Sequence, residues 1–502
     1  MNDLIKAISP YLPPNTSFYP RSLQRREEVI ALMVRIDRER KFLCIETGRS
    51  RLFSDFEADI LETPVGRLKI CALTHKNAEA LRKWFAFTRP VPLGRSGLSL
   101  GLGDRLGMAS PGHLRLLAEE RNIRPVLAQQ SMRELTLTER TFADVIDSAS
   151  WSVFQEGYTF GFGADGDHLK TDAEVIDALN SGCSMITLDC SEKIDNSITE
   201  LSAGEISSRY HELPIEIRMR WESRYLEKHF QIGSVDIYFG EKDLQEIVLT
   251  YHEALAFMRD IFWRVIRPHG VVDFEISIDE TLTPTSPQAH YLVAQELVRE
   301  GVEFTSLAPR FCGEFQKGID YIGDIYLFET ELKVHAEIAD HFGYRLSIHS
   351  GSDKFSVFPL IGRYTHRRVH VKTAGTNWLE AVRVIARKNP ALYRRMHAYA
   401  MEHFGEAKKY YHVSTDIDSI PSLQSLTDAE LPALMDQDHS RQLLHISYGL
   451  LLTARDELGV PLFRDEFLRT LIDAEEEYAQ ALIRHIGNHI RYLCRTDKVC
   501  SE

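Results

Sequence analysis

Short stretches of the chain gather acidic, imidazole and cationic side chains at intervals that could let them act together. Asp167 and His168 stand side by side, and a carboxylate beside an imidazole suits a divalent metal or general acid/base work. In Phe274-Glu275-Ile276-Ser277-Ile278-Asp279-Glu280 the alternation puts Glu275, Ser277 and Asp279 on one face and the apolar residues on the other. A glutamate buried in mid-strand has its pKa raised by desolvation unless a cation pairs with it. Further on, Arg310 could take a carboxylate bidentately, Lys317 adds a second cation, and Glu314 is available to a metal. His349 and Lys354 flank Gly351, which permits a close approach to a ligand, and Lys372 precedes Thr373-Ala374-Gly375-Thr376. His168, Glu314 and His349 together supply two imidazoles and a carboxylate, an open set for a divalent ion that leaves positions for substrate. Their spacing along the chain does not identify such a site. Geometry has to.

Gly161-Phe162-Gly163-Ala164-Asp165-Gly166 matches the dinucleotide pattern G-x-G-x-x-G, with Asp189 at the distance expected of a ribose-binding acid. Asp165, Asp167 and His168 crowd the turn where a pyrophosphate would sit, and carboxylates at a helix N-terminus repel that anion. The alternatives are a tight strand-to-helix turn or a catalytic loop with acidic and metal-binding side chains, and the last is preferred.

These groups need a scaffold, and the chain alternates strand-like and helix-like segments from about residue 96 onward. Strands are expected at 98–102, 124–128, 158–162, 184–188, 271–278, 302–307, 344–348 and 368–372, with helices at 112–120, 172–180, 287–300 and 329–342. Strand and helix in turn, eight times over, predict an α/β fold of the closed parallel (β/α)8 kind, a TIM-like barrel spanning 96–375. Its reactive groups then sit at the carboxyl ends of the strands, where barrel enzymes do their chemistry. Residues 1–95 read as a small N-terminal α/β domain with strands at 28–36, 41–46 and 66–73 and a helix at 77–87. A helical insertion, 198–269, follows the fourth strand, with helices at 216–230 and 242–266. Residues 376–502 form a helical C-terminal extension ending in an amphipathic stretch at 473–492. An insertion of that size covers the barrel mouth or makes an oligomer contact, so self-association stays open.

Composition narrows the function. The chain has 502 residues, 44% hydrophobic and 26% charged, with a net charge of −14, which is globular and acidic. An acidic chain without a local basic patch repels phosphate backbones, so no nucleic-acid partner is expected. The longest apolar runs, such as 183–188, fall far short of the roughly 20 residues that span a bilayer. The opening residues lack the basic-then-apolar pattern of a signal peptide. Seven cysteines without a Cys-x-x-Cys pair favour reduced thiols over disulfides or thiolate zinc. A cytoplasmic enzyme is the expectation.

At these residues the chain resembles the tagaturonate epimerase family of bacterial hexuronate catabolism. The resemblance rests on Gly161-Phe-Gly-Ala-Asp-Gly-Asp-His-Leu-Lys170, on Glu275-Ile-Ser-Ile-Asp-Glu-Thr281 and on residues 307–320. It continues through Ser347-Ile-His-Ser-Gly-Ser-Asp-Lys354 and Lys372-Thr-Ala-Gly-Thr376. The resemblance implies interconversion of D-tagaturonate and D-fructuronate, a small sugar-acid substrate, with a divalent cation (zinc, manganese, nickel or cobalt are not distinguished). It implies His168, Glu314 and His349 as metal ligands and Asp167 and Glu275 as acid/base residues, with Glu280 and Asp279 rivals for the latter role. Arg310, Lys354 or Lys372 would hold the substrate carboxylate. The two ketouronates differ at C4, which enolisation at C3 cannot invert, so metal-assisted retro-aldol cleavage and religation is the favoured route. The other readings are a different metal-dependent sugar isomerase or aldolase on the same barrel, a nicotinamide-dependent epimerase, and a non-catalytic sugar-acid-binding protein.

Overall fold

The computed structural model describes residues 2–495; Cys500 and the last seven residues of the expected C-terminal extension lie outside the described residues. An N-terminal antiparallel sheet comes first: β1 (Thr16–Arg26), β2 (Val29–Ile36), β3 (Glu39–Glu46), β4 (Ile60–Thr63) and β5 (Gly66–Cys71), in the order β1-β2-β3-β5-β4. Its strands alternate between two apolar clusters, as a pleated strand buried on both faces must. Val29, Ala31, Met33, Phe42 and Cys44 pack with Phe53, Phe56 and Leu81. Ile30, Leu32, Val34, Leu43 and Ile45 face Ile8 and Leu12. The first of these strands, β1, had no counterpart in the sequence reading, because its residues are largely polar and half exposed.

The barrel is closed and parallel. Its strands are β6 (Leu98–Gly101), β7 (Ile123–Ser131), β8 (Gly163–Leu169), β9 (Met185–Asp189), β12 (Asp273–Ser277), β13 (Ser306–Ala308), β14 (Arg345–Ile348) and β15 (Val369–Lys372). They run in that order round the barrel, and β15 pairs back onto β6. Between β9 and β12 a hairpin of β10 (Lys228–Ile232) and β11 (Val235–Phe239) interrupts the expected helical insertion. The helix expected through residue 230 stops at Tyr225. The long helix Glu241–Ile261 follows and ends in a π-helical turn, Phe262–Ile266.

The third barrel strand lies one segment later than expected: 158–162 is not a strand, and Gly163–Leu169 is. The glycine- and aspartate-rich run therefore lies inside the barrel wall. It is not a phosphate-binding turn, and the structural context that G-x-G-x-x-G requires is not met. Gly166 has a packing role instead. A Cβ there would meet Ala178 Cβ at 2.8 Å and Leu169 Cδ1 at 2.9 Å, so the helix Asp172–Asn180 seats directly on β8. That helix opens with a capping box in which the Thr171 hydroxyl and the Glu174 carboxylate satisfy each other's backbone N–H.

By internal packing the described residues divide into two compact units, those up to 91, 102–164 and 374–487 in one and 92–101, 165–373 and those from 488 in the other. The first holds the N-terminal sheet and a helical core in which Trp378, Leu379, Tyr393, Leu443, Tyr448 and Leu482 are buried. The second holds most of the chemistry-bearing residues singled out above. The cysteines at 44, 71, 183, 190, 312 and 494 are free thiols. Among the described residues no helix is long and apolar enough to cross a membrane.

Because Gly166 leaves no room for a methyl, Gly166→Ala should cost about 1–3 kcal/mol by overpacking. Urea denaturation checks this, and an unchanged midpoint would show that the helix can yield.

Candidate active site

The barrel interior is polar where a buried parallel sheet is ordinarily apolar. Asp165 on β8, Thr187 on β9, Glu275 on β12, Ser306 on β13 and Lys372 on β15 are all buried. Lys372 Nζ lies 2.5 Å from Asp167 Oδ1, 2.9 Å from Glu275 Oε1 and 3.5 Å from Asp165 Oδ2, and donates to Thr187 Oγ1 at 2.8 Å. Burial alone would raise the Glu275 carboxyl; Lys372 and His349 override it and hold it well below the usual carboxylate range. The same contest is won the same way at Asp167, by Lys372 and His168. Desolvation would lower the Lys372 ammonium, but three carboxylates raise it instead.

Glu275 is the hub of this layer. Its Oε1 accepts from Thr187 Oγ1 (3.2 Å) and lies beside His349 Nε2 (2.9 Å), and its Oε2 accepts from Ser306 Oγ at 2.6 Å. With His349 Nε2 committed to Glu275, the other ring nitrogen, Nδ1, turns to Asp279, whose Oδ2 is 3.0 Å away. That contact lies off the line a hydrogen bond requires, so Nδ1 is a buried polar atom without a hydrogen bond among the described residues. Ser277 Oγ steers Asp279 by donating to its Oδ1 at 2.6 Å. Burial opposes ionisation of both partners, yet Asp279 holds the His349 imidazole up at about 9, and His349 holds the Asp279 carboxyl far down.

His168 completes the group from the end of β8. Its Nδ1 is 2.8 Å from Asp167 Oδ1, which leaves Nε2 for another partner, and its ring centroid is 4.8 Å from that of His349. The backbone at His168 is left-handed, φ 55°, where the β8–β9 register slips between Gly166 and Leu169. Such a conformation in a bulge re-aims a side chain at a local energetic cost. One nitrogen each from His168 and His349 and one oxygen from Asp279 lie within 4.8 Å of one another.

This donor set fits a divalent cation. Each imidazole is fixed through one nitrogen by a carboxylate and presents the other, the outer-shell arrangement that orients metal-binding histidines. Asp165, Asp167, Glu275 and Asp279 outnumber the single ammonium of Lys372, so the site carries excess negative charge for a cation to offset.

Several expectations are corrected here. Glu314 is not in the group. It is exposed, its backbone pairs with Ile322, and its carboxylate accepts from Gln316; the carboxylate that lies with the two imidazoles is Asp279. Glu275 has a hydrogen-bond partner on each oxygen and orients His349. Glu280 is exposed, and the contact found for it is a bond from Asn196 to its backbone carbonyl. Lys354 is fully buried and gives its ammonium to the carbonyls of Gln316, Ile319 and Ser352, and Lys372 is enclosed by carboxylates. Neither is placed to take a substrate carboxylate.

Asp167 keeps Oδ2 without a hydrogen bond among the described residues. Arg310 bonds the Thr281 carbonyl through Nη1 and keeps Nε and Nη2 uncommitted in the same sense. Three participants were not anticipated, Asp165, Thr187 and Ser306. The signal for Asp165 was its two-residue offset from Asp167 on one strand; Thr187 sits in an apolar run that gave none.

A closed parallel barrel with two imidazoles, a carboxylate and an acid-lined lysine at its strand ends is the architecture of a barrel enzyme. The family described as tagaturonate epimerase, UxaE, matches residues 19–493. The tagaturonate/fructuronate epimerase of Thermotoga maritima is 42% identical over 427 residues, 84% of this chain and 86% of its own. The native crystal structure of fructuronate-tagaturonate epimerase UxaE from Cohnella laeviribosi superposes with a TM-score of 0.94 at 50% identity, covering 98% of this chain and 99% of that one. A glycerol-complexed structure of the same protein gives 0.94 at 51%, with the same coverage. The chain belongs to the tagaturonate epimerase family, and so to the isomerases.

Lys372→Met would leave buried carboxylates without their ammonium, and breaking a buried ion pair from one side costs about 3–5 kcal/mol. Urea unfolding of the variant should show that loss; a change below about 1 kcal/mol would mean that water already screens the pair.

Proposed function

We propose that the chain interconverts D-tagaturonate and D-fructuronate by inversion at C4, through retro-aldol cleavage and religation, with a divalent cation held by His168, Asp279 and His349. The observation that carries this reading is the pair of imidazoles, each bonded through one nitrogen to a carboxylate, with a nitrogen of each and an Asp279 oxygen within 4.8 Å of one another. Membership of the family supports the substrate. When bound, the cation would supply Lewis-acid polarisation of substrate oxygens.

The chain's own residues do the rest. Asp167 is held as a carboxylate by Lys372 and His168, and its Oδ2 takes the proton from the C4 hydroxyl as the C3–C4 bond breaks. The bonding pair passes to C3 and on to the C2 carbonyl oxygen, while C4 becomes an aldehyde. Rotation of that aldehyde about its bond to C5 presents the opposite face. The C3–C4 bond then re-forms, and Asp167 returns its proton to the new C4 oxygen. One residue acting as base and then acid suffices, because the proton removed is the proton returned. Arg310 fits the substrate carboxylate, to which a guanidinium binds bidentately.

Proton NMR of D-tagaturonate with chelator-stripped protein in heavy water, before and after adding manganese, nickel, cobalt or zinc, tests this. Fructuronate should appear only with metal and keep protium at C4. Asp279→Asn should lower turnover by more than about 100-fold, whereas Glu314→Gln should stay within about twofold of the parent. Turnover without metal, deuterium at C4, or the reverse ranking of the two variants would each overturn the corresponding part.

A further inference from the structure

His349 is delivered by a turn that its residues would not adopt unaided. Ser350 and Asp353 both have left-handed backbone, φ 50° and 63°, which is unfavourable for residues with a Cβ. Between them Gly351 packs so closely on β15 that a Cβ would meet Val371 Cγ1 at 2.5 Å. Something must hold the turn in this shape, and two lysines lie against it. The three protons of the Lys354 ammonium meet three backbone carbonyls, those of Ser352 (2.8 Å) inside the turn and of Gln316 (2.8 Å) and Ile319 (2.6 Å) across from it. From the other side Lys317 Nζ donates to Ser350 Oγ at 2.8 Å.

A fully buried ammonium is costly unless its bonds are made, and a methionine would fill the same space without that cost. What the ammonium adds is direction: bonds that tie residues 350–354 to residues 316–319. The segment so tied begins one residue after His349, whose side chain must stay aimed through Nδ1 while Glu275 holds Nε2.

We propose that Lys354 and Lys317 are positioning residues: they lock the turn after β14 and thereby hold His349 Nδ1 on the cation site that it shares with His168 and Asp279. This rests on the divalent-cation reading of that site. The lysines act through His349, so their removal weakens cation binding even where the fold survives.

The test uses full-length protein stripped with chelator and titrated with Co2+ by calorimetry and visible absorption, well below the melting temperature of each variant. The parent should bind Co2+, and His349→Ala should lose it. Lys354→Met should weaken binding by about 10–100-fold and Lys317→Met by a smaller factor, the range seen when outer-shell partners of a metal site are removed. Melting temperatures are recorded in parallel, because a purely structural role would lower them and leave Co2+ affinity unchanged. If Lys354→Met does not fold, Lys317→Met, at a partly exposed position, carries the test. Binding that depends on His349 but stays within about twofold of the parent in the folded lysine variants overturns the proposal alone. A parent protein that binds no Co2+, or binds it as well without His349, overturns the cation reading and this proposal with it.

Discussion

The arrangement depends on one buried cation. Lys372 stands inside the barrel among Asp165, Asp167 and Glu275, and each of those carboxylates would be prohibitively costly there without it. An ammonium suits the place better than a guanidinium. It is compact, and its three protons can be shared among several acceptors that do not lie in one plane. Removing water from this layer strengthens every remaining charge interaction, so the same lysine that makes the acids tolerable also fixes where they point.

Orientation then propagates outward from that layer. Glu275, pinned by Lys372, Thr187 and Ser306, takes one nitrogen of His349; Asp167, pinned by Lys372, takes one nitrogen of His168. Two imidazoles on opposite sides of the site are thereby set by carboxylates that share a single counter-ion. A shift at Lys372 would be felt at both rings together. The polar strands are the price of this coupling, since β8 and β12 give up apolar burial inside the barrel and must recover it on their outer faces through residues such as Phe274, Ile276 and Ala164.

Much of this was legible in the chain, and where it was not the reason is physical. Eight strands could be counted because each is followed by helix or turn signals, and the side-chain period of two put Glu275, Ser277 and Asp279 on one face. The third strand was displaced because glycine and aspartate ordinarily mark turns; in β8 they are the wall of a polar barrel. The β10–β11 hairpin was missed, and the helix expected through residue 230 ran into its first three residues, because apolar spacings there are ones that helix and strand share over so short a run. Glu314 was expected as the carboxylate ligand because a residue at a strand end is known to face the mouth but not how far it reaches. The loop after β13 folds back through its pairing with Ile322 and takes Glu314 out to solvent. Lys354, in Ser-Gly-Ser-Asp-Lys, looked like a ligand-binding cation; two of its three carbonyls lie 35 and 38 residues away in sequence, which no local pattern encodes.

Hydrogen-bond accounting separates the acids by role more sharply than their position does. Asp165, Asp167, Glu275 and Asp279 are all near Lys372 or the two imidazoles, and all could be written into an acid/base scheme from proximity. A carboxylate that reacts must have an oxygen to spare. Glu275 has a partner on each of its oxygens, which suits it to transmitting position. Asp279 accepts from Ser277 on one oxygen and turns the other to His349, the arrangement on which its proposed role as a cation ligand rests. Asp167 gives Oδ1 to His168 and Lys372 and keeps Oδ2. Its two neighbours favour the carboxylate form, so Asp167 stands ionised with one oxygen left over, although the same neighbours weaken it as a base. The excess of acids over lysines, which looks like an electrostatic liability, is what lets one carboxylate stay partly unpaired while the rest hold the frame.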